Sequence, residues 1–97
     1  MKKVTYNKEE LEEISEKIKA IGHPLRIAII ELLEKNKKLT VTDIQKNINI
    51  EQATTSNHLK ILRDQQILTA ERDGKKKYYL LKHKKLAEIV GTFRECM

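Results

Sequence analysis

Asn49 and the helix-like run behind it constrain this chain more than any other feature. The run reads Ile50-Glu51-Gln52-Ala53-Thr54-Thr55-Ser56-Asn57-His58-Leu59-Lys60-Ile61-Leu62. Asparagine tolerates the left-handed backbone that a tight turn needs. The residues after it are polar first and apolar later, with Leu59 and Leu62 as anchors. That order suits a helix whose first turns face something polar and whose later turns enter a core. A helix presented to a DNA major groove meets that description. At about 100° per residue, Thr55, Leu59 and Leu62 share one side. Ala53, Thr54, Asn57 and Lys60 lie broadly opposite, with Gln52 and Ser56 flanking.

The segments around this run extend the pattern. Thr40-Val41-Thr42-Asp43 reads as a capping box, with Thr40 as N-cap and Asp43 reaching back to it. Val41, Ile44 and Ile48 form the buried face of the short helix it opens. Upstream, Leu11, Ile14, Ile18 and Ile21 recur at helical spacing and predict a helix over about 8–21. Gly22-His23-Pro24 ends it, and Pro24 suits the first position of the next helix. Leu25, Ile27, Ala28, Ile29, Ile30, Leu32 and Leu33 make that second helix apolar on nearly every side, which marks a central core helix. The helix after Asn49 is expected to run from about Gln52 to Gln65 or Gln66.

Two short extended runs follow, Leu68 to Arg72 and Lys76 to Leu81. The Asp73-Gly74 pair between them predicts a β-hairpin. A last helix over about 84–95 carries Leu86, Ile89, Val90 and Phe93 on one stripe. The expected architecture is mainly α with a small hairpin: five helices and a two-stranded wing in one domain, 1–97. The terminal helices keep apolar stripes that the compact centre does not need. Such stripes usually meet another subunit. A homodimer is therefore expected through Leu11, Ile14, Ile18, Leu86, Ile89, Val90 and Phe93.

Charge supports a polyanionic partner. Twenty basic residues against fourteen acidic ones give a net charge of +6. Acidic residues gather at Glu9, Glu10, Glu12, Glu13 and Glu16, so the middle and the 72–85 region are more basic than the total. No run of apolar residues is long enough to span a bilayer. No apolar leader follows Met1-Lys2-Lys3, so a cytoplasmic location is expected. The lone cysteine, Cys96, excludes an intrachain disulfide and a multi-cysteine metal site within one chain. Gly22, Gly74 and Gly91 are too far apart for a phosphate-binding loop, and no nucleophile-base-acid grouping is visible. An enzyme is not expected.

At this point the chain resembles the ArsR-type family of small bacterial winged-helix repressors, over about 10–97. The residues that carry the resemblance are Ala20-Ile21-Gly22-His23-Pro24-Leu25-Arg26, Gln52 through Leu62, Ile67-Leu68, and Asp73-Gly74-Lys75-Lys76-Lys77-Tyr78-Tyr79-Leu80-Leu81. The resemblance implies a dimer that binds a double-stranded operator, represses, and is released by an inducer it does not specify. Some members of the family bind metals through cysteines at the start of the third helix. The matching positions here are Thr40 and Thr42, which are not soft-metal ligands. Others use carboxylates and histidines on the last helix, and the matching positions hold His83, Lys85 and Cys96. A lysine opposes Zn²⁺ binding, so no metal or cofactor is expected.

Gln52, Thr54, Ser56 and Asn57 suit hydrogen bonds to base edges, and Ala53 permits close approach or contact with a thymine methyl. Lys60, Arg63, Arg72, Lys75, Lys76 and Lys77 suit phosphates, contacts that position a protein without reading sequence. The competing reading of the same residues is a solvated helix face and a solvated turn. His58 is placed at the edge of the core face, with packing or a phosphate hydrogen bond as its role. His23 is expected to begin a helix. His83 and Cys96 are read as surface residues. Glu51 departs from the serine-like residue that often opens such helices. Its carboxylate favours the helix dipole but repels phosphates, so it either points away or discriminates among sequences. The alternative function is a protein-interaction module that uses the winged fold without specific DNA binding.

Overall fold

The computed structural model describes residues 1–97 and contains five helices and one hairpin. Helix α1 spans Lys8–Ile21, with the Asn7 side chain accepting a hydrogen bond from the Glu10 amide. Glu9 and Glu10 in its first turn oppose the positive end of the helix dipole. Helix α2 spans Pro24–Lys35, and the His23 ring accepts from the Leu25 amide through Nδ1. Helix α3 spans Val41–Ile48 and opens with the full capping box. The Thr40 hydroxyl accepts from the Asp43 amide at 3.2 Å, and the Asp43 carboxylate accepts from the Thr40 amide at 3.1 Å.

Asn49 takes φ = 53°, the left-handed turn expected of it. Helix α4 spans Gln52–Asp64, slightly shorter than its apolar pattern predicts. Its end is a Schellman motif built without glycine. Gln66 sits at φ = 59°. Its amide donates to the Arg63 carbonyl, and the Ile67 amide donates to the Leu62 carbonyl.

Strands β1 (Leu68–Asp73) and β2 (Lys76–Leu81) pair antiparallel, from Leu68 opposite Leu81 to Asp73 opposite Lys76. The two-residue loop is therefore Gly74-Lys75, not the expected Asp73-Gly74. Gly74 supplies φ = +65° at the first loop position while Lys75 keeps negative φ, which is the type II′ hairpin pattern. Leu39 adds a short bridge to Tyr79, tying the start of the α3 segment to the wing. Helix α5 spans Lys85–Glu95.

The core draws on every helix. Ile29, Ile30 and Leu33 from α2 meet Ile44 of α3, Leu59 and Leu62 of α4, Ile67, Leu68, and Ala87 and Val90 of α5. Helix α1 contributes only Ala20 to this cluster. Ile21 packs against it, and the rest of the stripe faces outward, with Leu11 41%, Ile14 45% and Ile18 63% exposed. On α5, Ile89 and Phe93 are exposed as well, at 46% and 70%. Val90, by contrast, is buried in the chain's own core and Leu86 packs against it. The stripe on α5 is thus split. Leu86 and Val90, expected at a subunit interface, are used inside one chain, while Ile89 and Phe93 remain uncovered.

Candidate nucleic-acid interface

Helix α4 divides its residues cleanly. Thr55, His58, Leu59 and Leu62 are buried. Gln52, Ala53, Ser56, Asn57, Lys60 and Arg63 are exposed, and Thr54 is half-buried. The split follows from packing: Leu59 and Leu62 enter the core beside Ile44 and Ile29, which turns the opposite face to solvent. Thr55 fixes the start of the helix. Its hydroxyl and its amide both donate to the Glu51 carbonyl, at 3.0 and 3.1 Å. Glu51 is the N-cap residue, yet its side chain caps nothing. It accepts instead from the Thr54 hydroxyl at 2.9 Å. Sequence reasoning noted Glu51 but missed this pair, although the three-residue spacing allows it.

His58 leaves the candidate DNA-contacting set. It is 6% exposed, and its ring centroid lies 4.6 Å from that of His23. Its Nδ1 is buried without a hydrogen-bond partner. Burial pushes its pKa below the usual histidine range, helped by the neighbouring His23 and Arg26. The α4 face that buries Leu59 and Leu62 extends one position further round than the sequence pattern suggests.

The wing carries the second half of the surface. Arg72, Lys75 and Lys76 are exposed and Lys77 is half-buried. Arg72 and Lys77 are cross-strand partners. Lys77 also places its ammonium 5.3 Å from the Tyr79 ring centroid, a cation–π distance. A surface hollow brings Arg63 of α4 together with Arg72 and Lys77 of the wing. A second hollow joins Lys76 and Lys77 to Thr40, Thr42 and Asp43 at the start of α3. The Asp43 carboxyl sits below the usual carboxylate range because it accepts the Thr40 amide. The Thr40 hydroxyl and, more weakly, Lys46 and Lys76 add to the effect. Lys60 makes only a long, exposed contact to Asp64, at 3.9 Å, so it stays available to another anion. Within one chain, no three His, Cys, Asp or Glu side chains converge on a common point. His83 and Cys96 are both exposed.

A helix-turn-helix with a polar outer face, flanked by a cationic β-hairpin, defines a winged helix-turn-helix transcriptional regulator. The family model described as "Bacterial regulatory protein, arsR family" matches residues 23–70. The chain belongs to the ArsR family. It is 35% identical over 80 residues to the transcriptional repressor PagR of Bacillus anthracis, covering 82% of this chain and 80% of the relative. It is 32% identical over 78 residues to an arsenical resistance operon repressor of Staphylococcus aureus, covering 80% and 74%. The crystal structure of PagR superposes with a TM-score of 0.80 at 32% identity, covering 90% of this chain and 99% of that one. NolR from Sinorhizobium fredii gives a TM-score of 0.83 at 27% identity, covering 99% and 96%.

Proposed function

We propose that this protein is a dimeric, sequence-specific repressor that binds a double-stranded operator. The observation that carries this reading is the exposed set Gln52, Ala53, Ser56 and Asn57 on the first turns of α4, beside the cationic wing. In this reading α4 enters the major groove. Gln52, Ser56 and Asn57 offer hydrogen bonds to base edges and Ala53 offers its methyl group. Thr54 contributes through its remaining lone pairs. Lys60, Arg63, Arg72, Lys75, Lys76 and Lys77 neutralise phosphates along the backbone and at the adjoining minor groove. The net charge of +6 per chain draws the protein to the duplex.

The dimer rests on the uncovered apolar residues Leu11, Ile14 and Ile18 of α1 and Ile89 and Phe93 of α5. PagR and the S. aureus relative are named as repressors, which favours repression as the direction of control. A two-fold dimer presents two α4 helices to half-sites about one helical turn apart, roughly 34 Å. With a duplex as target, we place its action in the cytoplasm. No helix is long and apolar enough to cross a membrane. Release by an inducer completes the proposed cycle.

Selection of bound duplexes from a random pool tests the reading. The expected product is a motif with dyad symmetry, bound far more tightly than random DNA at moderate salt. Equal binding of all duplexes sinks specific repression. The same operator, titrated with oxidant, reductant and small-molecule pools, identifies the class of inducer.

A further inference from the structure

The start of α4 carries a feature that general DNA binding does not need. Glu51 is exposed and enters no ion pair in the chain. It is the N-cap of α4, and the N-terminal residues of a recognition helix are those that contact base edges, between phosphates. An unneutralised carboxylate there weakens binding to any duplex unless the DNA offers it a hydrogen-bond donor. Two contacts hold it in place. The buried Thr55 fixes the Glu51 backbone through the carbonyl, and the Thr54 hydroxyl fixes the carboxylate at 2.9 Å.

The direction of the Thr54 bond matters. The hydroxyl hydrogen is spent on Glu51, so Thr54 presents only lone pairs outward. The second Glu51 carboxylate oxygen also only accepts. The pair is therefore an acceptor-only surface at the tip of the helix. In the major groove, guanine shows the acceptors O6 and N7, and thymine shows the acceptor O4. Both repel such a surface. Cytosine offers its N4 amino group, and adenine its N6 amino group. Adenine sets the N7 lone pair directly beside that donor, facing the other carboxylate oxygen. Cytosine sets a C5–H there instead.

We infer that the Glu51–Thr54 pair is a specificity element that selects a cytosine, through its N4 amino group, in each operator half-site. The inference rests on the DNA-reading function proposed above. Glu51 acts mainly by exclusion: it makes the wrong base pairs worse rather than binding overall stronger.

The test is to select an operator with the intact protein and then vary each position of a half-site through all four base pairs. Wild type should prefer cytosine at one position by about tenfold or more. Glu51→Gln should flatten that preference to below about threefold, because its amide is both donor and acceptor. It should bind off-sequence duplexes at least as tightly as wild type, since a charge facing phosphates is gone. Thr54→Ser should keep the preference, and Thr54→Val should narrow it by freeing the carboxylate. Glu51 caps nothing, so the fold should survive, as circular dichroism will show. Should Glu51→Gln unfold, the two Thr54 variants carry the test. If wild type selects no motif, the operator reading fails and this inference with it. If wild type selects a motif that Glu51→Gln reproduces at every position, this inference alone is overturned.

Discussion

His58 sits on the buried face of α4 with no polar partner for Nδ1, and this makes stability depend on pH in a calculable way. The ring is 6% exposed, beside the His23 ring and Arg26, and no acid faces it among its identified neighbours. Burial, His23 and Arg26 all disfavour its cationic form, so its folded pKa lies below the unfolded value of 6.5. The unfolded chain then binds more protons as pH falls. The associated stability is fully present above 6.5 and is lost on acidification. The loss between about pH 7.5 and 5.5 is at most about 1.4 kcal/mol, the value set by an unfolded pKa of 6.5 when the folded ring stays neutral throughout. Glu31 and Asp43, both held below ordinary carboxylate values, stay ionised over that window and drop out of the comparison. The perturbation is His58→Leu, which fills the buried position with an apolar side chain and removes the proton site. The assay is urea unfolding of both proteins at the two pH values, at one fixed protomer concentration because dimer stability depends on it. Wild type should lose more than the variant on acidification, by at most about 1.4 kcal/mol. Equal losses in the two proteins would refute the claim that His58 is neutral in the fold.

Four further outcomes are expected. Thr40→Ala removes the hydroxyl that caps α3 and should cost about 1 kcal/mol in urea unfolding, with the loss centred on the helix that supports α4. Lys76→Ala should weaken all duplexes alike and lower the slope of log affinity against log salt by about one. Phe93→Asp should leave the fold intact, because the side chain is 70% exposed, yet shift sedimentation to the monomer and abolish cooperative occupation of two half-sites. Zn²⁺ at modest concentration should not release the operator, since within one chain no three His, Cys, Asp or Glu side chains converge and Thr40 and Thr42 are not soft-metal ligands. Sharp release that a chelator reverses would count against that assignment.

What the sequence disclosed, and what it withheld, divides along a physical line. Features set by local chemistry were legible. The capping box at Thr40 and Asp43, the left-handed Asn49 and Pro24 at the start of α2 each follow from what a short segment does by itself. The Schellman end of α4 was less so, because Gln66 occupies a left-handed position usually given to glycine. What holds it there is non-local: Ile67 is buried in the core that Ile29 and Ile44 also build, and Lys82 bonds the Ile67 carbonyl and the Gln66 side chain. The hairpin loop moved by one residue for a related reason. An Asp-Gly pair marks the turn, but pairing of Asp73 with Lys76 decides which residues lie inside it.

The candidate site shows the same division. Helical spacing separated Leu59 and Leu62 from Ser56 and Asn57, because facing is a property of the helix alone. It leaves His58 an ambiguous place at the edge, because His23 and Arg26, from around the start of α2, stand beside the ring. The regularity of its stripe assigns Val90 to a subunit contact, while Ala87 and Val90 in fact turn inward together. Periodicity reports that a face is apolar. It does not report which body covers it. That is why Ile89 and Phe93, left bare beside a buried Val90, argue for a partner more strongly than the full stripe did: the chain's own core has already taken the apolar surface it can reach.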